Sequence, residues 1–208
     1  MTSTTLFLVR HGETVWHAEN RYAGRSDIDL TPRGHEQAAS LATWARTARL
    51  DALWVSPLKR ARETAAPAAR ATALEPRVDD RLRELDFGDG EGRTVGEMER
   101  LFPEAVAAYR ADPVAHHLPN GEDPRAAAER ACAALETIAG AHAGGRVLVV
   151  FHNTLMRLTL CRLLGIELGR YRQVFPQVRN VALTQVRMTE AEAALLAFNV
   201  PVGGAEAL

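Results

Sequence analysis

The stretch Leu6-Phe7-Leu8-Val9-Arg10-His11-Gly12-Glu13-Thr14 begins with four consecutive apolar residues and stops abruptly at charge and glycine. A short apolar run without alternation reads as a strand buried on both faces, and its polar end as a functional loop. The same pattern recurs twice. Ala52-Leu53-Trp54-Val55-Ser56 stops at Ser56-Pro57-Leu58-Lys59-Arg60, and Arg146-Val147-Leu148-Val149-Val150-Phe151 stops at His152-Asn153. Helical segments follow each strand. Thr31-Pro32-Arg33-Gly34 places proline at a first helical position, ahead of Ala38, Leu41, Ala42 and Ala45 on one face. A second helix runs on to around Ala71, and a third spans Thr154 to Leu164. Val181 to Val186 and Ala194 to Asn199 read as two further strands.

Strands alternating with helices predict an α/β fold: a three-layer α/β/α sandwich with a mostly parallel central sheet and right-handed crossovers. Ligands of such sheets bind beyond the carboxyl ends of the strands. Three strands deliver Arg10-His11, Arg60 and His152 there. The 208 residues suit a single domain over 1–208, with 87–123 as an excursion over the active-site edge, rich in Gly and Pro punctuation.

Lys and Arg total 25 against 26 Asp and Glu, a formal net charge of -1. That balance argues against nucleic acid or an anionic membrane as partner, since both demand a basic excess. No apolar run approaches the roughly 18 residues of a transmembrane helix, and the start of the chain lacks a basic region before its apolar stretch. The expected location is cytoplasmic. Cys132 and Cys161 lie in Ala/Leu-rich helical patterns, where free cysteine behaves as a small buried hydrophobe. No HxH, HExxH or DxD pattern accompanies His116-His117, which reads as a loop pair, so neither a metal nor a cofactor is expected. His35 and His142 read as surface or packing residues on helices.

A fixed four-residue word such as Arg10-His11-Gly12-Glu13 arises by chance in about one chain of this size in a thousand. With Thr14 and Trp16 it resembles the nucleophile motif of the histidine phosphatase superfamily, the phosphoglycerate-mutase-like proteins. The resemblance extends over nearly the whole chain, with the pattern of the small bacterial phosphatase branch. Asp29 to Gly34 with Gln37-Ala38, Ser56 to Ala61 with Thr64-Ala65, Leu82 to Gly88 with Glu91-Gly92, and His152 with Arg157 are similar to the segments that follow in that family. The resemblance implies a phosphoglycerate-mutase-like fold, His11 as nucleophile, Glu84 as general acid, and Arg10, Arg60 and His152 around the phosphoryl group.

The chemistry of these side chains agrees. A phosphate monoester is doubly negative near neutral pH, and arginine neutralises it with a planar fork that stays protonated, a task open to Arg10 and Arg60. A neutral imidazole attacks phosphorus if its other ring nitrogen donates to a fixed acceptor, which would make His11 a phosphohistidine. A carboxyl group beside phosphate in a partly dry site retains a proton for the leaving alkoxide. Glu84 fits by its motif, with Glu13 and Asp86 its nearest rivals. His152, protonated, would stabilise the equatorial oxygens.

Three positions depart from the family pattern. Relatives commonly have asparagine where this chain has His17; His17 can still donate one hydrogen bond to the phosphoryl group. Ala23-Gly24-Arg25 falls where the family often lines the substrate pocket, and Arg25 is placed to meet a second acidic group, with His116, His117 and Glu122 on the same rim. Asn153 replaces a usual glycine; a positive φ there, which asparagine tolerates best, would turn its N–H to the phosphate.

The expected activity is therefore a metal-independent phosphatase acting on a small phosphorylated metabolite. Sugar phosphates, phosphoglycerate derivatives, phosphoserine and the nucleotide-loop phosphates of cobalamin synthesis all suit the class. A phosphoglycerate mutase is the alternative, although Leu85 to Arg93 is short and net acidic where mutases carry a longer basic stretch. A non-catalytic phosphate-binding module on the same fold is the third reading. Val174-Phe175-Pro176 is either a homodimer contact or core.

Overall fold

The computed structural model of the chain describes residues 2–202. Its centre is one six-stranded sheet: β1 (Thr4–Arg10), β2 (Ala52–Val55), β3 (Pro76–Val78), β4 (Arg146–Phe151), β5 (Leu183–Met188) and β6 (Ala193–Val200). The spatial order is β3-β2-β4-β1-β5-β6. Pairs β3-β2, β2-β4 and β4-β1 are parallel, and β5 alone runs against its neighbours. The sheet is thus mostly parallel, as the alternation of elements predicts.

Period-two geometry explains why the central strands carry unbroken apolar runs. On β1, Leu6 and Leu8 face one core while Phe7 and Val9 face the other; on β4, Val147, Val149 and Phe151 share the first side and Leu148 and Val150 the second. Helices α1 (Pro32–Ala45) and α2 (Lys59–Thr72) fill the second side through Leu41, Ala45, Ala61, Ala65 and Ala68. Helices α5 (Pro124–Ala141) and α6 (Asn153–Leu163) cover the first through Ala131, Leu135, Ile138, Leu155 and Leu158. The small residues on these helix faces let the layers approach closely. Trimming a fully buried residue such as Leu8 or Leu135 to alanine costs about 2–5 kcal/mol.

Residues 87–123 hold a 3-10 turn at Gly88–Gly90 and the short helices α3 (Val95–Leu101) and α4 (Pro103–Ala111). Thr94 caps α3 by accepting from Glu97 N–H, while Glu97 accepts from Thr94 N–H, a reciprocal capping box. Met98, Val106, Tyr109 and Leu118 then bury this segment against the first core.

Several boundaries differ from the sequence reading, each for a local reason. The strand expected from Val181 begins at Leu183, because Val181 adopts a left-handed φ of 58° that turns the chain. Helix α6 begins at Asn153, one residue early, with His152 as its N-cap. Strand β3 was not legible, being three residues long with a proline at its start. Nor is α7 (Tyr171–Val174), a single turn. Phe175, in the segment left open between dimer contact and core, is buried, with its ring centroid 5.0 Å from that of Phe198. No helix among the described residues is long and apolar enough to cross a membrane.

Candidate active site

Parallel pairing of neighbouring strands brings three chain segments to one edge. Arg10 is in register with Phe151, and Val55 with Val150, so His11, His152 and Ser56 emerge side by side past β1, β4 and β2. The His11 and His152 rings are 5.3 Å apart. Ser56 Oγ accepts from Leu58 N–H at 3.3 Å and lies 2.7 Å from Nε2 of His152. Nδ1 of His152 is buried without a hydrogen-bond partner.

The His11 tautomer is fixed from both sides. Nδ1 lies 2.8 Å from its acceptor, the Gly12 carbonyl, and Nε2 accepts from Nε of Arg60 at 3.3 Å. The free lone pair of the neutral ring therefore sits on Nε2. Burial, with the Arg60 and Arg10 charges behind it, holds His11 well below the ordinary histidine value and so neutral. The same burial, with Arg60 and His11 beside it, lowers the His152 pKa well below the ordinary histidine value in the free protein.

Arg60 is fully buried. Its Nη1 donates to Ser26 O at 2.8 Å, and its Nη2 to Ala23 O at 3.0 Å and Gly24 O at 2.9 Å. The side chain thus builds the wall of the site while aiming Nε at His11. Glu91 fixes the same loop by accepting from Gly24 N–H and Ser26 N–H. Of the residues expected on the substrate rim, Ala23 lines the cavity, whereas Gly24 is buried behind it and Arg25 is exposed and paired with Asp86 at 2.9 Å. His116 and His117 are exposed outside it, and Glu122 is engaged by Arg130. A local pattern could not separate these outcomes, because they depend on which way the loop turns.

Arg10 donates through Nη1 to Val178 O at 2.7 Å and through Nη2 to Nε2 of His17 at 2.6 Å, while its Nε is buried without a partner. His17 therefore spends one nitrogen on Arg10. The other lies 2.8 Å from Thr14 Oγ1 and 3.2 Å from Thr14 O. It orients the guanidinium rather than donating to a phosphoryl group as expected, since an imidazole facing a permanent cation must present its lone pair. The turn Val178–Val181 clamps the same loop: Asn180 donates to His11 O at 2.7 Å and Val181 N–H to Arg10 O at 2.9 Å.

Glu84 is also buried. One oxygen accepts from the Leu85 and Leu155 N–H groups, both at 2.8 Å, and the other from Thr154 N–H at 3.0 Å. Two of these donors belong to the first turn of α6, where the helix dipole favours a carboxylate. Burial nonetheless outweighs them and raises the Glu84 pKa above the ordinary carboxyl value. Asn153 is the first helical residue of α6, so the positive φ expected of it is absent. Arg130 holds the Glu84 loop by donating to the carbonyls of Arg81, Arg83 and Glu84 and by pairing with Glu122. The rival carboxylates are engaged elsewhere: Glu13 accepts from Thr31 Oγ1, and Asp86 holds Arg25 and Gly88 N–H.

These groups border a cavity of about 320 Å³, at the small end of ligand sites. Arg10, His11, His17, Ala23, Glu84 and Asn153 reach its wall, whereas Arg60 and His152 stand directly behind His11. Tyr22, Phe87, Tyr109, Tyr171, Arg157 and Arg172 also line it, with Arg21 and Trp16 among the rest. Tyr109, Tyr171 and Arg172 carried no local signal, since they arrive on α4 and α7. Ser56, Thr64 and Asn180, which position the histidines and the Gly12 N–H, were likewise unread as site residues. The described residues contain no group of three or more His, Cys, Asp or Glu placed to hold a metal ion.

A neutral histidine on a cavity wall, with its basic nitrogen fixed by an arginine and a second arginine beside it, is the arrangement the family resemblance implies. The model of the histidine phosphatase superfamily (branch 1) matches residues 6–201. The chain belongs to this superfamily. It is 33% identical over 195 residues to phosphoserine phosphatase 1 of Hydrogenobacter thermophilus, covering 94% of this chain and 92% of that protein. It is 32% identical over 186 residues to the probable phosphoglycerate mutase GpmB of Escherichia coli, covering 89% and 86%. Among solved structures, Bacillus stearothermophilus YhfR superposes with a TM-score of 0.89 at 28% identity, over 95% of this chain and 97% of that one. The protein is thus a phosphoglycerate-mutase-like histidine phosphatase, an enzyme of phosphoric monoester hydrolysis.

Proposed function

We propose that the enzyme hydrolyses a small phosphomonoester without a metal, through a phosphohistidine on His11. The observation that carries this is the His11 tautomer: Nδ1–H is committed to Gly12 O, so Nε2, which accepts from Nε of Arg60, is the basic nitrogen of a residue on the cavity wall. Nε2 attacks phosphorus as the bond to the ester oxygen breaks, and Glu84, its pKa already raised and raised further by an incoming dianion, gives its proton to that oxygen. Water then attacks the phosphohistidine with Glu84 as base, releasing phosphate and restoring the imidazole. Arg10, on the cavity wall with its Nε–H without a partner, supplies a donor for the phosphoryl oxygens.

The named relatives support a small substrate, and the buried free thiols Cys132 and Cys161 support a reducing, cytoplasmic setting. A phosphoglycerate mutase is the second reading, favoured by the likeness to GpmB. Against it stands the segment after Glu84, in which Asp86 is tied to Arg25 and no basic stretch retains a bisphosphate.

The test is phosphate release from small phosphomonoesters in EDTA, including 3-phosphoglycerate with and without 2,3-bisphosphoglycerate. Release that EDTA leaves unchanged supports the phosphatase. Isomerisation that depends on bisphosphate and occurs without release would make it a mutase.

A further inference from the structure

The His11 ring is aimed by the two peptide units that flank Gly12. A trans peptide points its C=O and its N–H in opposite directions, so a grip on one end orients the other. In the His11–Gly12 unit both ends are held: the carbonyl accepts from Asn180 Nδ2 at 2.7 Å, and the N–H donates to Thr64 Oγ1 at 2.9 Å. In the next unit the Gly12 carbonyl lies 2.8 Å from Nδ1 of His11, and the Glu13 N–H at the opposite end donates to Oε1 of Gln37, also at 2.8 Å. Gln37 thus holds the far end of the peptide that receives the His11 proton.

Gln37 stands outside the catalytic cavity. It is half-buried on α1 and borders, with Glu13, a second cavity of about 600 Å³. Any effect it has on the reaction must therefore pass through the nucleophile loop. The grip has work to do, because Gly12 carries no side chain to restrict rotation of the peptide that follows it.

The carbonyl so aimed matters to the chemistry. When Nε2 forms its bond to phosphorus and the ester bond breaks, Nδ1 keeps its proton and the ring becomes a cation. When water takes the phosphoryl group, the electron pair returns to Nε2 and the ring is neutral again. Burial, Arg60 and Arg10 all disfavour the charged ring, and the hydrogen bond to the Gly12 carbonyl favours it. A carbonyl free to rotate away would withdraw that support from both steps.

We propose that Gln37 is a positioning residue of the nucleophile: by fixing the Glu13 N–H it aims the Gly12 carbonyl at Nδ1 of His11 and so supports formation and breakdown of the phosphohistidine. The effect on turnover rests on the phosphatase reading; the effect on the ring does not.

Two variants of the full chain test it. Gln37→Leu removes the acceptor while keeping a good helix former on α1, and Gln37→Glu keeps an acceptor oxygen at the same reach. The first readout is the ring itself, by NMR of protein carrying isotopically labelled histidine, without substrate, the His11 signals being those absent from His11→Ala. The unsubstituted protein should show a His11 Nδ1–H that exchanges slowly with water. Gln37→Leu should speed that exchange at least about tenfold, and Gln37→Glu should return it to within about threefold. The second readout is hydrolysis of p-nitrophenyl phosphate. Gln37→Leu should lower kcat about three- to tenfold, the worth of one net hydrogen bond, with KM within about twofold, and Gln37→Glu should recover most of the loss. A ring exchange rate or a kcat that Gln37→Leu leaves unmoved, or losses that Gln37→Glu does not restore, overturns the proposal, since the contact would then be structural alone. Absence of turnover in the unsubstituted enzyme, with the ring responding as expected, overturns only the phosphatase reading.

Discussion

Nη2 of Arg10 sits 2.6 Å from Nε2 of His17, so a guanidinium that must meet phosphate is steered by a histidine that must stay neutral. Burial, together with the Arg10 charge, lowers the His17 pKa from 6.5 to about 4. A histidine depressed in the folded state leaves the unfolded chain binding more protons between those two values. Its neutral state therefore supports folding above pH 6.5, and that support is lost as pH falls towards 4. His11 and His152 are shifted in the same direction and add to the trend. His17→Asn should flatten the decline in unfolding free energy between pH 6.5 and pH 4 by up to one proton's worth of slope. Urea unfolding at several pH values measures this, and an unchanged slope would contradict the assigned contact.

Removing the nucleophile leaves nothing at Nε2 to attack phosphorus. His11→Ala should lower kcat by at least about a thousandfold while leaving the circular dichroism of the fold unchanged. Acid-quenched wild type with labelled substrate should yield an acid-labile phosphoprotein, absent from the variant. Turnover retained in the variant would remove His11 from its role.

Glu84 acts on the leaving group, so its effect should depend on how much that group needs a proton. Glu84→Gln should reduce turnover of alkyl phosphates by about 10²–10⁴-fold and that of p-nitrophenyl phosphate far less. Because burial raises the Glu84 pKa, its acid form is retained to higher pH than an ordinary carboxyl and is lost as pH climbs through the raised value. Alkyl phosphate turnover should fall on that limb while the aryl ester's stays flatter. Equal losses for both substrates would place the acid elsewhere.

Gly34, in the first turn of α1, presses its backbone against the nucleophile loop. A Cβ there would come within 2.2 Å of Glu13 O, and one on Gly12 within 2.7 Å of Gly34 O. These are backbone atoms with nowhere to swing. Gly34→Ala should cost about 1–3 kcal/mol and displace His11, lowering kcat more than it raises KM. Thermal unfolding and steady-state kinetics check both halves.

Much of this molecule is written locally. The apolar runs at Leu6–Val9 and Val147–Phe151 specify strands buried on both faces because a period-two element with no polar alternation has no side to turn to water. The motif words ending those strands name His11, Arg10, Arg60, Glu84 and His152, since each lies within a few residues of a recognisable strand or helix start. The protonation states, however, belong to the tertiary structure. The His152 pKa is low because parallel pairing sets the ring between Ser56 and His11 in a buried arginine cluster, and His17 turns to Arg10 because the 3-10 turn after Thr14 folds it back. Arg25 leaves the cavity and Arg172 enters it for the same kind of reason. The one follows the turn that Glu91 pins, and the other rides on α7, a single turn whose position rests on stacking against Tyr109 from α4. Local sequence fixes which residues a segment can offer. Which of them face one another is settled by how the segments pack and turn, where a local pattern does not reach.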